Sequence, residues 1–233
     1  MKGYGQFCPI ALAAEIVAER WTPLILRELF CGSTRFNQLR RGVPLMSPSL
    51  LSRRLRELEQ AQVIACSRSG KRVSEYRLTQ AGRELWPIIE HLGVWGKRWT
   101  QARIKDSQLD AGLLMWDIHR SLHLERLPHG RTVVEFVLSG TVAAKRRWWL
   151  VIERQAVELC LLNPGFAVDL RLKTHVRTLT EIWLGDRTLA DAIRAGALTL
   201  EGPRALVRAF PTWLRMSPLT RMPRVAGAAT APS

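Results

Sequence analysis

Long uncharged apolar stretches are missing from this sequence. None approaches the roughly 18 residues that a membrane-spanning helix requires, so we expect no insertion into a membrane. The apolar segment 8–18 contains Glu15 and is followed at once by Glu19 and Arg20, which makes it a poor signal peptide. The chain has only 4 cysteines, without paired C-x-x-C spacing. This favours a reduced, cytoplasmic protein over a disulfide framework.

Acidic residues are scarce relative to basic ones. The chain has 35 Lys and Arg against 20 Asp and Glu, a formal net charge of +15 and a pI near 11.0. Residues 1–105 hold 18 of the basic and 8 of the acidic residues, whereas the remainder holds 17 and 12. The positive excess is therefore concentrated in the first part of the chain. Nucleic acid is the commonest partner of such a field, with an anionic membrane surface second.

The motifs of several common enzyme classes are also missing. The sequence has no G-x-S-x-G, no P-loop and no G-x-G-x-x-G in a strand–helix setting. Histidines four residues apart share a helix face, and this suggests a metal hypothesis for His119, His123, Glu125 and His129. No H-E-x-x-H pattern, cysteine pair or clear further ligand accompanies them. We therefore predict no catalytic residue, no metal site and no cofactor.

One segment carries a strong helix signal. Ser47 can accept a hydrogen bond from a backbone N–H as N-cap, and Pro48 suits the first helical position. The leucines fall on one face of this helix, and they are Leu50, Leu51, Leu55 and Leu58. The opposite face offers hydroxyl and guanidinium groups, which grip phosphates and read guanine edges. An ordinary surface helix with solvated charges is the alternative if this segment is taken alone.

The flanking sequence favours the DNA-binding alternative. Helices are predicted over 9–19, from Thr22-Pro23 to Gly32, and from a cap at Ser33 or Thr34 to Gly42. A turn then leads to the Ser47 helix, which completes a helix-turn-helix pattern. Strands at 63–66 and 73–78 with a basic turn between them predict a wing. The candidate DNA-contacting residues are Ser47, Ser49, Ser52, Arg53, Arg54, Arg56, Arg35, Arg40, Arg68, Lys71 and Arg72.

Residues 6–100 closely resemble the HxlR family of bacterial winged-helix regulators. The matching segments are CP at 8–9, RWTPLILREL at 20–29, RFNQLR at 35–40, SPSLLSRRLRELE at 47–59 and YRLTQAG at 76–82. The resemblance implies a homodimer on a two-fold symmetric DNA operator, with the Ser47 helix in the major groove. The wing is shorter here than in many members, so the wing contacts follow less directly than the helix contacts.

Arg54 and Cys8 have roles that the helix-turn-helix pattern alone does not decide. Arg54 lies at the border of the leucine face, so a phosphate contact or an ion pair within the protein suits it better than base reading. Cys8 falls where some family members carry a cysteine that senses electrophiles or oxidants. A helix start directly after Cys8 would favour its thiolate. The cysteine also occurs in members without known redox chemistry, and both alternatives stay open.

A long helix is predicted from Thr79 through Trp99. It carries more apolar and aromatic surface than a winged domain of this size needs for itself, and a second copy of the chain could bury the excess. We therefore predict a homodimer through the N-terminal half, joined by the first helix.

The second half is predicted to be α+β. A helix at 111–127 precedes strands at 132–138, 147–152, 157–162 and 168–173. Helices at 175–184, 188–195 and 203–214 enclose a short strand at 198–200. The segments DLRLKTH at 169–175, LGDRTLADAIRAG at 184–196 and LTLEGPRALVRAF at 198–210 resemble the C-terminal part of sterol-carrier-protein-type domains. That resemblance implies a pocket for an apolar small molecule, which Trp116, Trp148, Trp149 and Trp183 could line; core packing is the alternative for each.

The predicted fold class is thus α+β, with an N-terminal winged helix-turn-helix followed by a C-terminal α+β domain. The latter has a mainly antiparallel sheet covered by helices. The predicted bounds are 1–105, 106–216 and a flexible tail at 217–233. The predicted function is sequence-specific, DNA-binding transcriptional regulation by a homodimer with an apolar effector. The alternatives are a thiol-based sensor acting through Cys8 and a lipid-binding carrier with incidental DNA binding.

Overall fold

The computed structural model describes residues 3–67, 74–100 and 104–217. The chain divides into two compact units, residues 1–93 and 94–233. The division falls inside the helix Trp86–Trp99, whereas the sequence predicts a boundary after residue 105. Among the described helices, none combines the length and the apolar character needed to cross a bilayer.

Helices dominate the first unit. Four of them precede a two-stranded hairpin, and their bounds are α1 Pro9–Val17, α2 Thr22–Phe30, α3 Phe36–Gly42 and α4 Pro48–Gln60. The hairpin pairs β1 (Ile64–Ser67) with β2 (Glu75–Leu78) in antiparallel register. The predicted order of three helices, a recognition helix and a hairpin is therefore present. Residues 68–73, which include the predicted wing residues Arg68, Lys71 and Arg72, lie outside the described part of the chain.

Helix starts differ in two places from the sequence predictions. Helix α2 begins at Thr22 itself, and Trp21 is the N-cap residue in a left-handed conformation with φ of 79°. Helix α3 is preceded by Arg35, not by a Ser33 or Thr34 cap. The Gln38 Oε1 atom accepts hydrogen bonds from the backbone N–H groups of Thr34 and Arg35, both at 3.0 Å. An amide side chain inside the helix thus replaces the predicted hydroxyl cap.

A single core organises the first unit. Its fully buried members come from α2, α3, α4 and the first strand, and they include Ile25, Leu26, Leu39, Leu51, Leu55, Leu58 and Ile64. Helix α4 therefore has a fixed orientation, because Leu51, Leu55 and Leu58 are each at most 2% exposed.

The predicted long helix is divided in two. Helix α5 (Gln80–Glu84) is capped by Thr79, whose Oγ1 accepts from the Gly82 N–H at 3.1 Å. Helix α6 (Trp86–Trp99) follows after a turn at Leu85. Proline in a helix lacks an N–H, and its ring clashes with the carbonyl four residues earlier. Pro87 in the first turn of α6 explains why the helix restarts there.

The second unit contains a five-stranded sheet in the order β5-β4-β3-β6-β7. The strands are β3 Thr132–Ser139, β4 Arg147–Glu153, β5 Ala156–Cys160, β6 Leu170–His175 and β7 Leu198–Glu201. Strands β3 and β6 run parallel, and the three other pairings are antiparallel. The predicted combination of helices and strands is confirmed.

Four helices pack on one face of this sheet, named here the helix side. They are α7 Ala111–Arg120, α8 Val176–Leu184, α9 Leu189–Arg194 and α10 Arg204–Trp213. Phe136 of the central strand, Phe210 and Trp213 are each about 1% exposed or less at this interface. Helix α7 is shorter than predicted because the chain after it forms a bridge with the end of α10, between Leu122 and Leu214. Of the predicted tail at 217–233, Ser217 is buried and its N–H donates to the Trp183 carbonyl at 3.0 Å, whereas residues 218–233 lie outside the described part of the chain.

Candidate nucleic-acid interface

Helix α4 presents a polar face because its apolar face is fixed in the core. The Ser47 Oγ accepts the backbone N–H of Leu50 at 3.3 Å, and Pro48 occupies the first helical turn. These contacts bear out the predicted start. Ser49, Arg53 and Arg56 are exposed and Ser52 is half-buried. One hydroxyl and two guanidinium groups thus project from a helix that the core holds in place. Side chains that read base edges need such a rigid support.

Arg53 and Arg56 differ in how strongly the protein holds them. The Arg53 Nε lies 3.8 Å from the Glu57 carboxylate, and the Arg53 side chain is 61% exposed. An exposed ion pair of this kind contributes little stability, so Arg53 can exchange Glu57 for another acceptor. Arg56 has no ion-pair partner among the residues that the structure describes. Both guanidinium groups are therefore available to an external anion or base.

Arg54 has a different environment from its neighbours. Its side chain is 8% exposed, and it pairs with Glu19 at 2.8 Å and Glu57 at 2.7 Å. Of the two roles weighed from the sequence, the ion pair is the one whose partners are present. The pair joins α4 to the segment between α1 and α2, so Arg54 positions the helix.

Two further candidates lie at α3. Arg35 and Arg40 are both exposed. Arg35 bridges to Glu75 of β2, and the shortest distance between its guanidinium and that carboxylate is 3.9 Å. The Tyr76 N–H also donates to the Thr34 carbonyl at 2.7 Å. These contacts attach the start of α3 to the wing hairpin.

A buried acidic residue connects α2 to α3, and the sequence analysis does not predict this role. Glu28 is 0% exposed and accepts hydrogen bonds from Arg27 at 2.7 Å and Ser33 Oγ at 3.2 Å. The Arg27 Nη2 atom also donates to the Gly42 carbonyl at 2.8 Å. A Cβ at Gly42 would overlap the Glu28 carboxylate, so the last residue of α3 must be small. The adjacent opposite charges of Arg27 and Glu28 are the only sequence signal for these contacts.

Cys8 is the N-cap residue of α1, as the sequence suggested. It is half-buried, and the nearby backbone N–H groups of Ala11 and Ile10 hold the pKa of its thiol below the ordinary cysteine value. Among the other cysteines, burial raises the pKa of Cys160. A lowered pKa favours the reactive thiolate, and the redox role of Cys8 stays a prediction.

The four tryptophans predicted for a ligand pocket are not gathered on one surface. Trp148 belongs to the helix-side core. Trp149 is the next residue of the same strand and projects to the opposite face. Trp116 is buried in α7, and Trp183 of α8 packs at the edge of the core. A single pocket on one face cannot include both Trp148 and Trp149, and core packing accounts for Trp148.

The histidine cluster does not assemble a metal site. Among the described residues, no group of three or more potential metal ligands lies together. His119 Nε2 lies 3.0 Å from the Val157 carbonyl, and His123 Nδ1 lies 2.8 Å from Glu125. His119 lines a cleft of about 460 Å³ at the end of α7, and a second cleft of about 600 Å³ lies at the opposite strand ends. None of the four predicted tryptophans lines either cleft.

Comparison with known proteins identifies the first part of the chain. Residues 16–104 match the HxlR-like helix-turn-helix family. An HTH-type transcriptional regulator of Mycobacterium tuberculosis is 46% identical over 89 residues, which are 37% of this chain and 56% of that relative. The chain thus spans little more than half the length of this relative. The structure of reduced YodB from Bacillus subtilis is similar to 42% of this chain and 98% of its own, with 26% identity and a TM-score of 0.36.

Two relatives from Bacillus subtilis are covered over most of their length. The HTH-type regulator YvaP is 33% identical over 105 residues, which are 43% of this chain and 96% of that protein. The HTH-type regulator YdeP is 36% identical over 40% of this chain and 73% of its own length. The matched region contains the helices α2 to α4 and the hairpin described above. This chain belongs to the HxlR-like helix-turn-helix family.

Proposed function

We propose that the protein is a sequence-specific, DNA-binding transcriptional regulator that inserts α4 into the major groove. The observation that carries this proposal is the division of α4 into two faces. Three of its four leucines are buried in the core, whereas Ser49, Arg53 and Arg56 are exposed on the other side. A helix held in this way can approach base edges without losing its own packing. Family membership supports the same function.

Charge supports binding to duplex DNA. Residues 1–105 carry 18 basic against 8 acidic residues, and neutralising phosphates releases counterions and strengthens binding at low salt. Arg53 or Arg56 can form two hydrogen bonds to guanine. Arg35, Arg40 and the basic residues of segment 68–73 are suited to phosphates. The proposed division of labour is that α4 reads bases and its neighbours position it.

The experiment is selection of bound duplexes from a random pool with the full chain, followed by titration of the selected duplex and a shuffled version. A sequence-specific regulator enriches one motif and binds it at least 10³-fold more tightly than the shuffled duplex, as specific DNA binders typically do. Enrichment of no motif, with equal affinity for both duplexes, would show that DNA binding is incidental. The alternative of a carrier protein would then gain support.

We also propose that the protein is a homodimer. Four large apolar side chains on α6 are 44–57% exposed, and they follow each other at intervals of four, three and four residues: Ile88, Leu92, Trp95 and Trp99. This spacing puts them on one stripe of the helix. Helix α1 has the apolar sequence PIALAAEIV and no buried residue. A second copy of the chain would cover both surfaces, and a two-fold dimer uses the same patch twice.

Analytical ultracentrifugation of the full chain tests this interface. Leu92→Glu and Trp95→Glu place a carboxylate in the stripe and are expected to convert the dimer to monomer. Glu90→Lys changes an exposed residue on the opposite side of α6, and it is expected to leave the dimer intact. A dimer that survives both stripe variants would locate the interface elsewhere, and a monomeric parent chain would remove the homodimer from the proposal.

The second unit is proposed to receive the regulatory signal. An apolar effector near the tryptophans stays a prediction. Thiol sensing by Cys8 is the second candidate for the signal, because nearby backbone N–H groups lower the pKa of its thiol. Neither an effector nor a thiol signal requires catalysis, so we propose no enzymatic role for the protein. We also propose that it is located in the cytoplasm.

A further inference from the structure

The second unit has a cleft where its two parallel strands end. Strands β3 and β6 end side by side, with Ser139 in register with His175. The cleft has a volume of about 600 Å³, within the range of roughly 300–1,000 Å³ that small-molecule sites occupy. Its walls come from the ends of β3 and β6, the start of β7, and the loops at 146 and 196–197. The lining residues are Val137, Leu138, Ser139, Arg146, Lys173, Thr174, His175, Gly196, Ala197 and Thr199.

The charged and ionisable residues that line the cleft are basic, and acidic residues lie just outside it, with Glu201 paired to Lys173 and Asp106 within electrostatic range of His175. Arg146, Lys173 and His175 line it, and no acidic residue does. The Lys173 Nζ is paired with Glu201 at 2.6 Å, so its charge is largely balanced. Arg146 is exposed and has no ion-pair partner among the residues that the structure describes. Arg146 therefore carries the excess positive charge of the cleft.

His175 adds a hydrogen-bonding group to the lining of the same cleft. Its Nδ1 accepts the backbone N–H of Arg177 at 3.1 Å, at the start of α8. An Nδ1 atom that accepts cannot hold the proton, so the neutral ring carries it on Nε2. Gly140 has φ of 75°, and a Cβ there would overlap the imidazole at Nε2. The glycine thus leaves room for the ring, and the Nε2–H has no hydrogen-bond partner in the described part of the chain.

The rest of the lining divides into apolar and hydroxyl groups. Val137 and Ala197 offer an apolar wall and Thr199 adds a hydroxyl, whereas the Leu138 side chain is buried in the helix-side core. The Ser139 hydroxyl donates to the Thr174 carbonyl at 3.5 Å. The Thr174 hydroxyl is already used, because it donates to the Ala197 carbonyl at 2.8 Å. A ligand that suits this lining has an anionic group for Arg146 and His175 and a small apolar body for the wall.

We propose that this cleft binds a small organic carboxylate. The carboxylate accepts from the Arg146 guanidinium and the His175 Nε2–H, two donors that the protein otherwise leaves without an acceptor. The apolar body lies against Val137 and Ala197. That this anion is the regulatory effector rests on the proposed function, whereas its binding to the second unit does not.

Calorimetric titration of the full chain with hexanoate and benzoate tests the site. The neutral amides hexanamide and benzamide have the same shapes without the charge. At least one carboxylate is expected to bind saturably, and its amide at least tenfold more weakly. Arg146→Gln is expected to weaken carboxylate binding about tenfold, in line with the loss of a hydrogen bond to a charged group. Arg208→Gln removes the same charge from an exposed position on α10 and is expected to have no effect.

Amide NMR spectra locate the bound carboxylate. Shifts are expected at Ser139, Gly196 and Thr199, and their absence with shifts elsewhere would overturn the proposal. Equal binding of acid and amide, equal effects of the two arginine variants, or no saturable binding of either carboxylate would also overturn it. If these amide shifts occur only on addition of duplex DNA, the cleft contacts phosphates and the carboxylate proposal is overturned. Anion binding in a chain that selects no DNA motif would refute the proposed function alone.

Discussion

The buried Glu28 carboxylate gives a sharp test of how the helix-turn-helix is held together. Glu28 is 0% exposed, and Arg27 is a charged partner of it at 2.7 Å. Replacing Arg27 by Met keeps the side-chain stem and removes every donor. The change removes the Arg27 hydrogen bonds to the buried Glu28 carboxylate and to the Gly42 carbonyl.

The magnitude follows from burial on the two sides of the pair. Breaking a fully buried ion pair by removing one partner costs about 3–5 kcal/mol. The Arg27 side chain is 31% exposed, so water screens part of this interaction. We expect Arg27→Met to lower the free energy of unfolding of the first unit by about 2–3 kcal/mol, below that range for this reason. Arg40→Met removes the same charge from an exposed site and is expected to change stability by about 0.5 kcal/mol or less.

The assay is urea unfolding of the full chain, with hydrogen–deuterium exchange of peptides from α2 and α3 to assign the loss to the first unit. A double-mutant cycle with Glu28→Gln measures the coupling, which is expected to be about 0.5–3 kcal/mol for residues in direct contact. The reasoning is refuted if Arg27→Met is no worse than Arg40→Met, or if the two changes are additive.

Two further predictions concern ionisable groups. Alkylation by iodoacetamide is expected to be faster at Cys8 than at Cys160 at neutral pH, because nearby backbone N–H groups lower the pKa of Cys8 and burial raises that of Cys160; peptide mass spectrometry of timed samples that shows the reverse order would contradict this. Burial raises the pKa of Asp110, but hydrogen bonds from Lys145 and the Leu113 N–H outweigh it, so that pKa lies below its usual range. Its stabilising effect is then present at neutral pH and lost as the pH falls through that lowered pKa. Asp110→Ala should cost about 1 kcal/mol at pH 7 as a lost helix cap and less in acid, whereas a penalty that is the same at both pH values in urea unfolding would argue against the assignment.

The start and burial of α4 could be predicted because both depend on local sequence. Ser47 and Pro48 fix its first turn, and the spacing of the leucines fixes its buried face. The environment of Arg54 could be predicted only in part. Its place at the border of the buried face is local, but its partner Glu19 lies 35 residues away. No periodicity connects two residues at that separation.

Two helix predictions were wrong because another residue nearby had a stronger effect on the backbone. Gln38 replaced the expected cap of α3, and Pro87 interrupted the helix expected over 79–99. The tryptophan pocket had a different weakness. Neighbouring residues of a strand project to opposite faces, so Trp148 and Trp149 could have been separated from the sequence alone. The cleft with Arg146 and His175 could not be predicted from the sequence. It depends on the pairing of β3 with β6, and these strands are far apart along the chain.

The central claim is that α4 reads base edges, and Arg56→Ala tests it most directly. Titrations of the parent chain, Arg56→Ala and Arg208→Ala on the selected and shuffled duplexes at one salt concentration separate base reading from general attraction. We expect Arg56→Ala to lose about 1–3 kcal/mol on the selected duplex and much less on the shuffled one, with Arg208→Ala unchanged on both. An equal loss on both duplexes, or no loss on either, would contradict base reading by this residue.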